Sequence, residues 1–314
     1  MQVRGTLDTL RSLDLIEYTR PVNRNRNRSC FRIPPSWEAC YRSWETSKFE
    51  GWVDAALFDR LPPATRMDPE RLFASPDVEV VRDKRNLTAR MLIDGRPVWL
   101  KRFRPAHVRD RVVYAMKAGK SVYAWNAAMA LMENEFCTPR PILGLRRAGR
   151  TDGAEGVIGF EDAGDHAPLG ELLVAGPPGA VERDRAMHEL GECLRRFHDL
   201  GFRHRDLRQG NILVVEKNGT RNFCFLDLNR LRIQKPLTEL QRLREVEKLN
   251  LPVSGLETFF GAYMPERDSG GMASTYRSRV AYADRLEHLT LGRLVRKAWY
   301  YYWELRAFAP ARRP

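Results

Sequence analysis

A chain of 314 residues can bury the core of a two-lobed catalytic domain together with an appendage. Hydrophobic residues make up 43% of the chain and aromatic residues 10%, which excludes a wholly disordered protein. The formal net charge of +13 favours a polyanionic partner, such as nucleic acid, anionic lipid or a phosphorylated glycolipid. The five cysteines have no CxxC spacing, which indicates reduced thiols in a cytoplasmic protein and no zinc site.

Residues 1–75 give the weakest pattern and are treated as an N-terminal extension of uncertain structure. Residues 7–16 have helical periodicity, and an arginine- and asparagine-rich stretch follows at 20–32. A helix followed by a basic hairpin is compatible with a nucleic-acid-binding wing. The pattern also fits an extension that packs on the next lobe, and we favour that interpretation over nucleic-acid binding.

A β-hairpin is predicted where Thr88–Ile93 and Pro97–Arg102 flank Asp94-Gly95. The second strand reads PVWLKRFR, so Lys101 stands where kinases carry the strand lysine that reaches the ATP phosphates. The usual glycine-rich phosphate loop is missing. Lys84 and Arg85 occupy its place, and they either bind phosphate through their side chains or belong to a solvated turn.

The next helix, at about Lys120–Met132, lacks the glutamate that pairs with the strand lysine in most kinases. Lys101 is therefore oriented either by the phosphates and Asp227, or by a later acid such as Glu133 or Glu135. A connector is predicted at 160–164, where Glu161 and Ala163 would flank the adenine through backbone groups.

The strongest motif, HRDLRQGNILV, follows a helix pattern whose apolar face contains Met187, Leu190, Leu194 and Phe197. Asp206 and Asn211 have the spacing of a kinase base and metal ligand. Arg208 stands two residues after the base, where kinases usually have lysine. A hairpin with an Asn-Gly turn then leads to Asp227, the expected second metal ligand.

The C-terminal tail is aromatic and basic, with Trp299 and Trp303 among tyrosines and arginines. This composition suits a membrane interface. It also suits a terminal helix packed on the large lobe. The longest apolar-rich run, Val122 to Met132, is too short to span a bilayer.

The chain resembles the lipopolysaccharide core kinase family, bacterial kinases of heptose or Kdo sugars that are relatives of protein kinases. The motifs that carry this resemblance are VWLKRFR, CTPRPI, HRDLRQGNILV and FLDLNRLRI, and the similarity covers roughly residues 76–265. The resemblance implies that Lys101 binds ATP phosphates, Asp206 is the base, and Asn211 and Asp227 bind Mg²⁺. The chain departs from the family's usual pattern at Arg208 and Asn229, and neither change removes a ligand or the base.

We therefore expect an α+β, two-lobed protein-kinase-like fold. A small antiparallel lobe with one helix would span 76–160, and a mostly helical lobe 161–314. The expected activity is ATP- and Mg²⁺-dependent phosphorylation of a sugar hydroxyl on a lipopolysaccharide core or similar glycolipid, at the cytoplasmic face of the membrane. The alternatives are a kinase of a protein or other small molecule, and a non-catalytic nucleotide-binding module. Nucleic acid is the less favoured partner, and the oligomeric state is not predicted.

Overall fold

The computed structural model describes residues 31–84, 86–93, 95–104, 119–148, 155–174, 180–217, 219–234 and 236–287. The predicted helix at 7–16, most of the arginine-rich stretch, Arg85 and the aromatic tail lie outside these residues.

The small lobe is built on a seven-stranded antiparallel sheet in the order β1-β2-β6-β7-β5-β4-β3. Its strands are β1 (Tyr41–Glu45), β2 (Phe49–Asp54), β3 (Val78–Asp83), β4 (Asn86–Ile93), β5 (Arg96–Phe103), β6 (Pro141–Arg147) and β7 (Gly156–Glu161). The predicted hairpin is β4–β5, with Thr88 opposite Lys101. Because β5 also pairs with β7, the strand lysine lies inside the sheet, beside the strand that leads to the connector.

Two strands of this sheet come from the N-terminal extension. β2 pairs with β6, and β1 forms the outer edge. The hairpin buries the side chains of Trp44, Phe49 and Val53 in the small-lobe core, and this burial favours its addition to the sheet. Two short helices follow, α1 (Ala55–Arg60) and α2 (Pro63–Met67). These two helices belong to the extension, and the described part of residues 76–160 contains one α-helix, as expected.

The predicted kinase helix is α3 (Lys120–Glu133). Its residues enter two different cores. Ala124, Trp125 and Met129 pack in the small lobe, whereas Ala128 and Leu131 belong to the core of the large lobe. The helix therefore forms part of both lobes.

The large lobe is mostly helical, as predicted. Its helices are α4 (Leu169–Val174), α5 (Ala180–Asp199), α6 (Glu239–Val246), α7 (Leu256–Tyr263) and α8 (Ser269–Glu287). Short strands complete it: β8 (Ala167–Pro168), β9 (Phe202–Arg203), β10 (Ile212–Lys217), β11 (Thr220–Phe225) and β12 (Arg232–Ile233). The apolar face predicted for α5 is fully buried.

An aromatic cluster joins α5 to the hairpin β10–β11. Phe225, the last residue of β11, stacks on Phe197 of α5 with ring centroids 4.5 Å apart. Phe136, after α3, packs edge-on against both rings. Such pairs stabilise beyond their buried area. The cluster fixes the end of β11, two residues before Asp227.

Candidate active site

The loop after β9 presents the predicted base and the first predicted metal ligand. The Asn211 side-chain amide donates a hydrogen bond to the backbone carbonyl of Asp206 at 2.8 Å. The Asn211 carbonyl in turn accepts from the Leu226 N–H at 2.9 Å. These bonds fix Asn211 relative to both Asp206 and the segment before Asp227. They also leave its side-chain oxygen as the atom that can bind a cation.

The buried carboxylate of Glu245, on α6, forms a hydrogen bond with the backbone of the same loop. Glu245 is fully buried and accepts a 2.6 Å hydrogen bond from the backbone N–H of Arg205. Lys248 bonds both the Arg205 carbonyl, at 3.0 Å, and Glu245, at 2.7 Å. Arg205 has a φ of +67°, a conformation that non-glycine residues rarely adopt. Glu245 therefore stabilises a strained turn directly before Asp206.

The net effect of these charges is a low pKa for Glu245. Burial by itself raises the pKa of this carboxyl group. The charge and hydrogen bond of Lys248, together with the charge of Arg203, outweigh burial and bring the pKa below the ordinary glutamate value. Glu245 is therefore ionised at neutral pH. Sequence reasoning missed it, because nothing local connects a helix residue to a loop 40 positions earlier.

His204 is buried beneath the loop and bonds the Leu226 carbonyl through Nε2, at 2.8 Å. Burial lowers the pKa of His204, so the ring is neutral at pH 7. A carbonyl can only accept, so Nε2 carries the ring proton. The bond ties the catalytic loop to the strand end that leads to Asp227.

Asp227 lies next to the predicted phosphate-binding lysine. The Lys101 ammonium donates to Asp227 Oδ1 at 2.5 Å, and the Asn229 amide donates to the same oxygen. Of the two arrangements that the sequence left open, the structure shows the one in which Asp227 is beside Lys101. The alternative acid Glu135 pairs instead with Arg196, at 3.2 Å. Asp227 has a φ of +54°, so the backbone turns sharply at the carboxylate.

Helix α3 contacts the catalytic segment through a different pair. The Arg232 guanidinium lies 4.2 Å from the ring centroid of Tyr123, in a cation–π contact. Arg232 lies in β12, just after the Asp227 turn, and Tyr123 lies in the first turn of α3. Although α3 lacks the usual glutamate, it contacts the site through Tyr123 and Arg232. The sequence did not predict this pair.

Two arginines bracket the predicted base. Arg208 Nε lies 3.0 Å from one carboxylate oxygen of Asp206, and Arg230 NH1 lies 3.5 Å from the other. Arg208 is where the motif predicted it. Arg230 was missed, although its position three residues after Asp227 was a usable signal.

The predicted nucleotide side is only partly described. Lys84 is exposed in the turn between β3 and β4, which contains no glycine, and Arg85 lies outside the described residues. At the connector, the Glu161 carboxylate makes two bonds with Arg140, at 3.0 and 2.6 Å. Arg140 also bonds Asp54 at 2.8 Å, so the N-terminal hairpin braces the connector.

The backbone of the connector is also partly engaged. The Glu161 N–H donates to the Arg140 carbonyl at 3.0 Å, so this donor is not available to an adenine. The Asp162 side chain accepts from the Trp99 indole at 2.7 Å and from the Gly164 N–H at 2.9 Å. Ala163 lies between these fixed residues. A base bound here could use the Glu161 carbonyl and the backbone groups of Ala163.

The donor set at the loop suits a hard divalent cation. Asn211 and Asp227 each offer an oxygen that has no partner among the described residues. Magnesium usually binds one or two protein carboxylate or amide oxygens together with phosphate and water. The described residues contain no group of three or more His, Cys, Asp or Glu side chains that could hold a metal by themselves. The two free oxygens therefore suit a cation whose remaining ligands are phosphate and water.

Comparisons with known proteins agree with this geometry. The model of the lipopolysaccharide kinase (Kdo/WaaP) family matches residues 78–263. A solved structure of WaaP in complex with acyl carrier protein superposes with a TM-score of 0.51 at 18% identity, covering 70% of this chain and 96% of that one. No curated protein matches the sequence.

Proposed function

The chain belongs to the lipopolysaccharide kinase (Kdo/WaaP) family, and on that premise we propose that it transfers the γ-phosphoryl group of ATP to a sugar hydroxyl of a lipopolysaccharide core or similar glycolipid. Membership makes the protein a kinase, a phosphotransferase with a hydroxyl acceptor. The family also implies the use of ATP with a divalent metal, and a glycolipid substrate. Mg²⁺ as the metal and the residue roles below are part of the proposal.

One observation carries the assignment of the site. Lys101 of the small lobe touches Asp227 at 2.5 Å, and Asn211 is fixed to the backbone of Asp206 at 2.8 Å. The Leu226 N–H donates to the Asn211 carbonyl at 2.9 Å, which joins the loop of Asp206 to the segment before Asp227. The lysine, the base and the two metal ligands thus lie on connected segments, which supports phosphoryl transfer. The missing helix glutamate was one argument for a non-catalytic module. Because Lys101 pairs with Asp227 without that glutamate, the argument is weaker.

The reaction joins the acceptor oxygen to the γ-phosphorus as the bond to the β-phosphate oxygen breaks. Asp206 orients the hydroxyl and accepts its proton, which passes to solvent after product release. Arg208 stabilises the negative charge of the transferred group. Lys101 binds the phosphates of the nucleotide. The bonds from Glu245 to Arg205 hold the loop, so Asp206 does not need to reorganise.

Asn211 and Asp227 would hold Mg²⁺, which supplies charge neutralisation for the phosphates when bound. Glu161 and Ala163 would contact the adenine through their backbone groups. Lys84 and Arg85 would contact the phosphates with their side chains, in place of glycine-loop amides.

The test of this function compares lipid A–core glycolipids from cells with and without the gene by mass spectrometry. A phosphoryl group present only with the gene is expected. The purified protein should transfer radiolabel from γ-labelled ATP to the acceptor from the deletion strain. Asp206→Asn should slow transfer by ~10²–10⁴-fold. Asp77→Asn, at an exposed aspartate remote in sequence from both motifs, serves as the matched control. Identical glycolipids in the two strains would refute the acceptor class.

We also propose that the enzyme acts peripherally at the cytoplasmic face of the membrane. The net charge is +13, and each Lys or Arg near an anionic bilayer contributes on the order of 1 kcal/mol. None of the described helices is long and apolar enough to cross a bilayer. Co-sedimentation with anionic liposomes should fall with salt, and truncation after Arg293 should abolish it. Absence of binding at low salt would make nucleic acid, through residues 20–32, the next polyanion to test.

A further inference from the structure

Two positively charged side chains contact the single carboxylate of Asp206. Arg208 contacts one of its oxygens and Arg230 the other, at 3.0 and 3.5 Å. The Asp206 side chain is 19% exposed, whereas those of Arg208 and Arg230 are 72% and 58% exposed. Neither arginine has a second acidic partner among the described residues. Among the described residues, the two guanidinium groups therefore share a single carboxylate, which leaves an excess of one positive charge beside the base.

We propose that Arg230 binds an anionic group of the acceptor, a carboxylate or a phosphate ester close to the hydroxyl that is phosphorylated. This inference rests on the proposed function and makes Arg230 a residue that determines acceptor specificity. Arg208 stands two residues after the base in the catalytic loop, so it suffices for the transferred phosphoryl group. Arg230 is the additional cation, supplied by the turn that follows Asp227.

Geometry limits where that anion can be. An acceptor hydroxyl must lie at hydrogen-bond distance from Asp206, typically about 2.7 Å, for its proton to be accepted. The Arg230 nitrogen is 3.5 Å from the same carboxylate. When the hydroxyl binds the carboxylate oxygen that Arg230 faces, the hydroxyl oxygen and the guanidinium nitrogen are at most about 6 Å apart. That span corresponds to a substituent on the same sugar ring or on the adjacent one.

The chemistry of the side chain fits the same ligand. A guanidinium has five N–H donors in a planar fork that matches two oxygens of a carboxylate or phosphate. Arg230 uses one of these nitrogens on Asp206, which leaves donors directed towards solvent. Each Asp206 oxygen has two lone pairs, so the carboxylate can accept the hydroxyl proton while both arginines stay in contact with it. Arg230 can therefore bind an acceptor anion beside the base without leaving Asp206.

The experiment uses the acceptor glycolipid in three forms: untreated, dephosphorylated with hydrogen fluoride, and with its carboxyl groups reduced to alcohols after carbodiimide activation. Wild-type kcat/KM should fall at least tenfold on one treated form, and which form falls identifies phosphate or carboxylate as the anion. Arg230→Ala should lose at least tenfold on the untreated acceptor, through KM for the acceptor rather than KM for ATP. It should lose little more on the treated form. Arg230→Lys should recover part of the loss, and Arg96→Ala, an exposed arginine on β5, should match wild type.

Three outcomes would overturn the inference. Wild type could use all three acceptors equally, Arg230→Ala could retain the full discrimination, or the variant could change KM for ATP instead. In each of these cases the proposed kinase activity itself stands. If no form of the glycolipid accepts phosphate, the proposed function fails and the role of Arg230 fails with it.

Discussion

Replacing Glu245 with alanine should lower the free energy of unfolding by about 3–5 kcal/mol, the range for removing one partner of a buried charge pair. The carboxylate is fully buried and accepts hydrogen bonds from the Arg205 N–H and from Lys248, at 2.6 and 2.7 Å. It also forms an ion pair with Arg203 at 3.5 Å. Arg203 is 10% exposed, so its charge would remain buried without a counter-ion. The melting temperature should fall by roughly 6–20 °C.

The same change should reduce kcat by roughly a hundredfold, because the turn at Arg205 would relax and displace Asp206. Glu245→Gln keeps an oxygen for the Arg205 N–H, so it should lose less activity than alanine. Glu239→Ala, on the same helix, removes an exposed pair with Arg267 and should change stability by less than about 1 kcal/mol. Urea unfolding and steady-state kinetics measure both effects.

The pH dependence provides a second check. The pKa of Glu245 is lower in the folded protein than its ordinary value of about 4.3. Its contribution to stability is therefore present above that value and is lost as pH falls through the folded pKa. The difference between wild type and Glu245→Ala should shrink in acid. A variant with the wild-type urea midpoint and unchanged kcat would refute the reasoning.

Four further predictions concern the site and its support. Asp227→Ala should abolish metal-dependent ATP turnover while the circular dichroism spectrum is retained, and normal turnover would exclude Asp227 as a metal ligand. Asp206→Asn should still bind ATP, measured by calorimetry, but transfer phosphate ~10²–10⁴-fold more slowly, the usual cost of losing a general base; a loss of only a few-fold would contradict that role. Arg140→Ala should raise KM for ATP several-fold with little change in kcat, because Glu161 is released, and an unchanged KM would show that the brace is irrelevant to nucleotide binding. Burial lowers the pKa of His198 to about 3, so the unfolded chain binds its proton first and stability should fall by about 2 kcal/mol between pH 6.5 and 5. Thermal melts of His198→Gln should lack this dependence, and an equally steep loss in the variant would assign it elsewhere.

The parts of the site that the sequence predicted are those encoded over short distances. Asp206 and Asn211 are five residues apart, and a hairpin of two six-residue strands carries the chain on to Asp227. Because turn chemistry and strand alternation are local, their spacing was sufficient to predict that these groups lie together. The catalytic roles assigned to them stay predictions.

The parts that the sequence did not predict depend on contacts between distant segments. The strand pair at 41–54 joins the sheet beside β6, about 90 residues along the chain. Glu245 supports a loop 40 residues away, and Arg140 connects Asp54 to Glu161. Each contact is decided by how whole elements pack, and no local periodicity indicates which partner a charged side chain will meet.

The double membership of α3 in both cores has a consequence for control of the enzyme. Many kinases are silenced by swinging the corresponding helix outward, which withdraws its glutamate from the strand lysine. Here that movement would expose Trp125 and Leu131, which are fully buried in different lobes. Lys101 would still be bonded to Asp227, because that contact does not involve α3. Outward movement of α3 would therefore leave the contact between Lys101 and Asp227 in place, and it would cost the burial of side chains in both lobes.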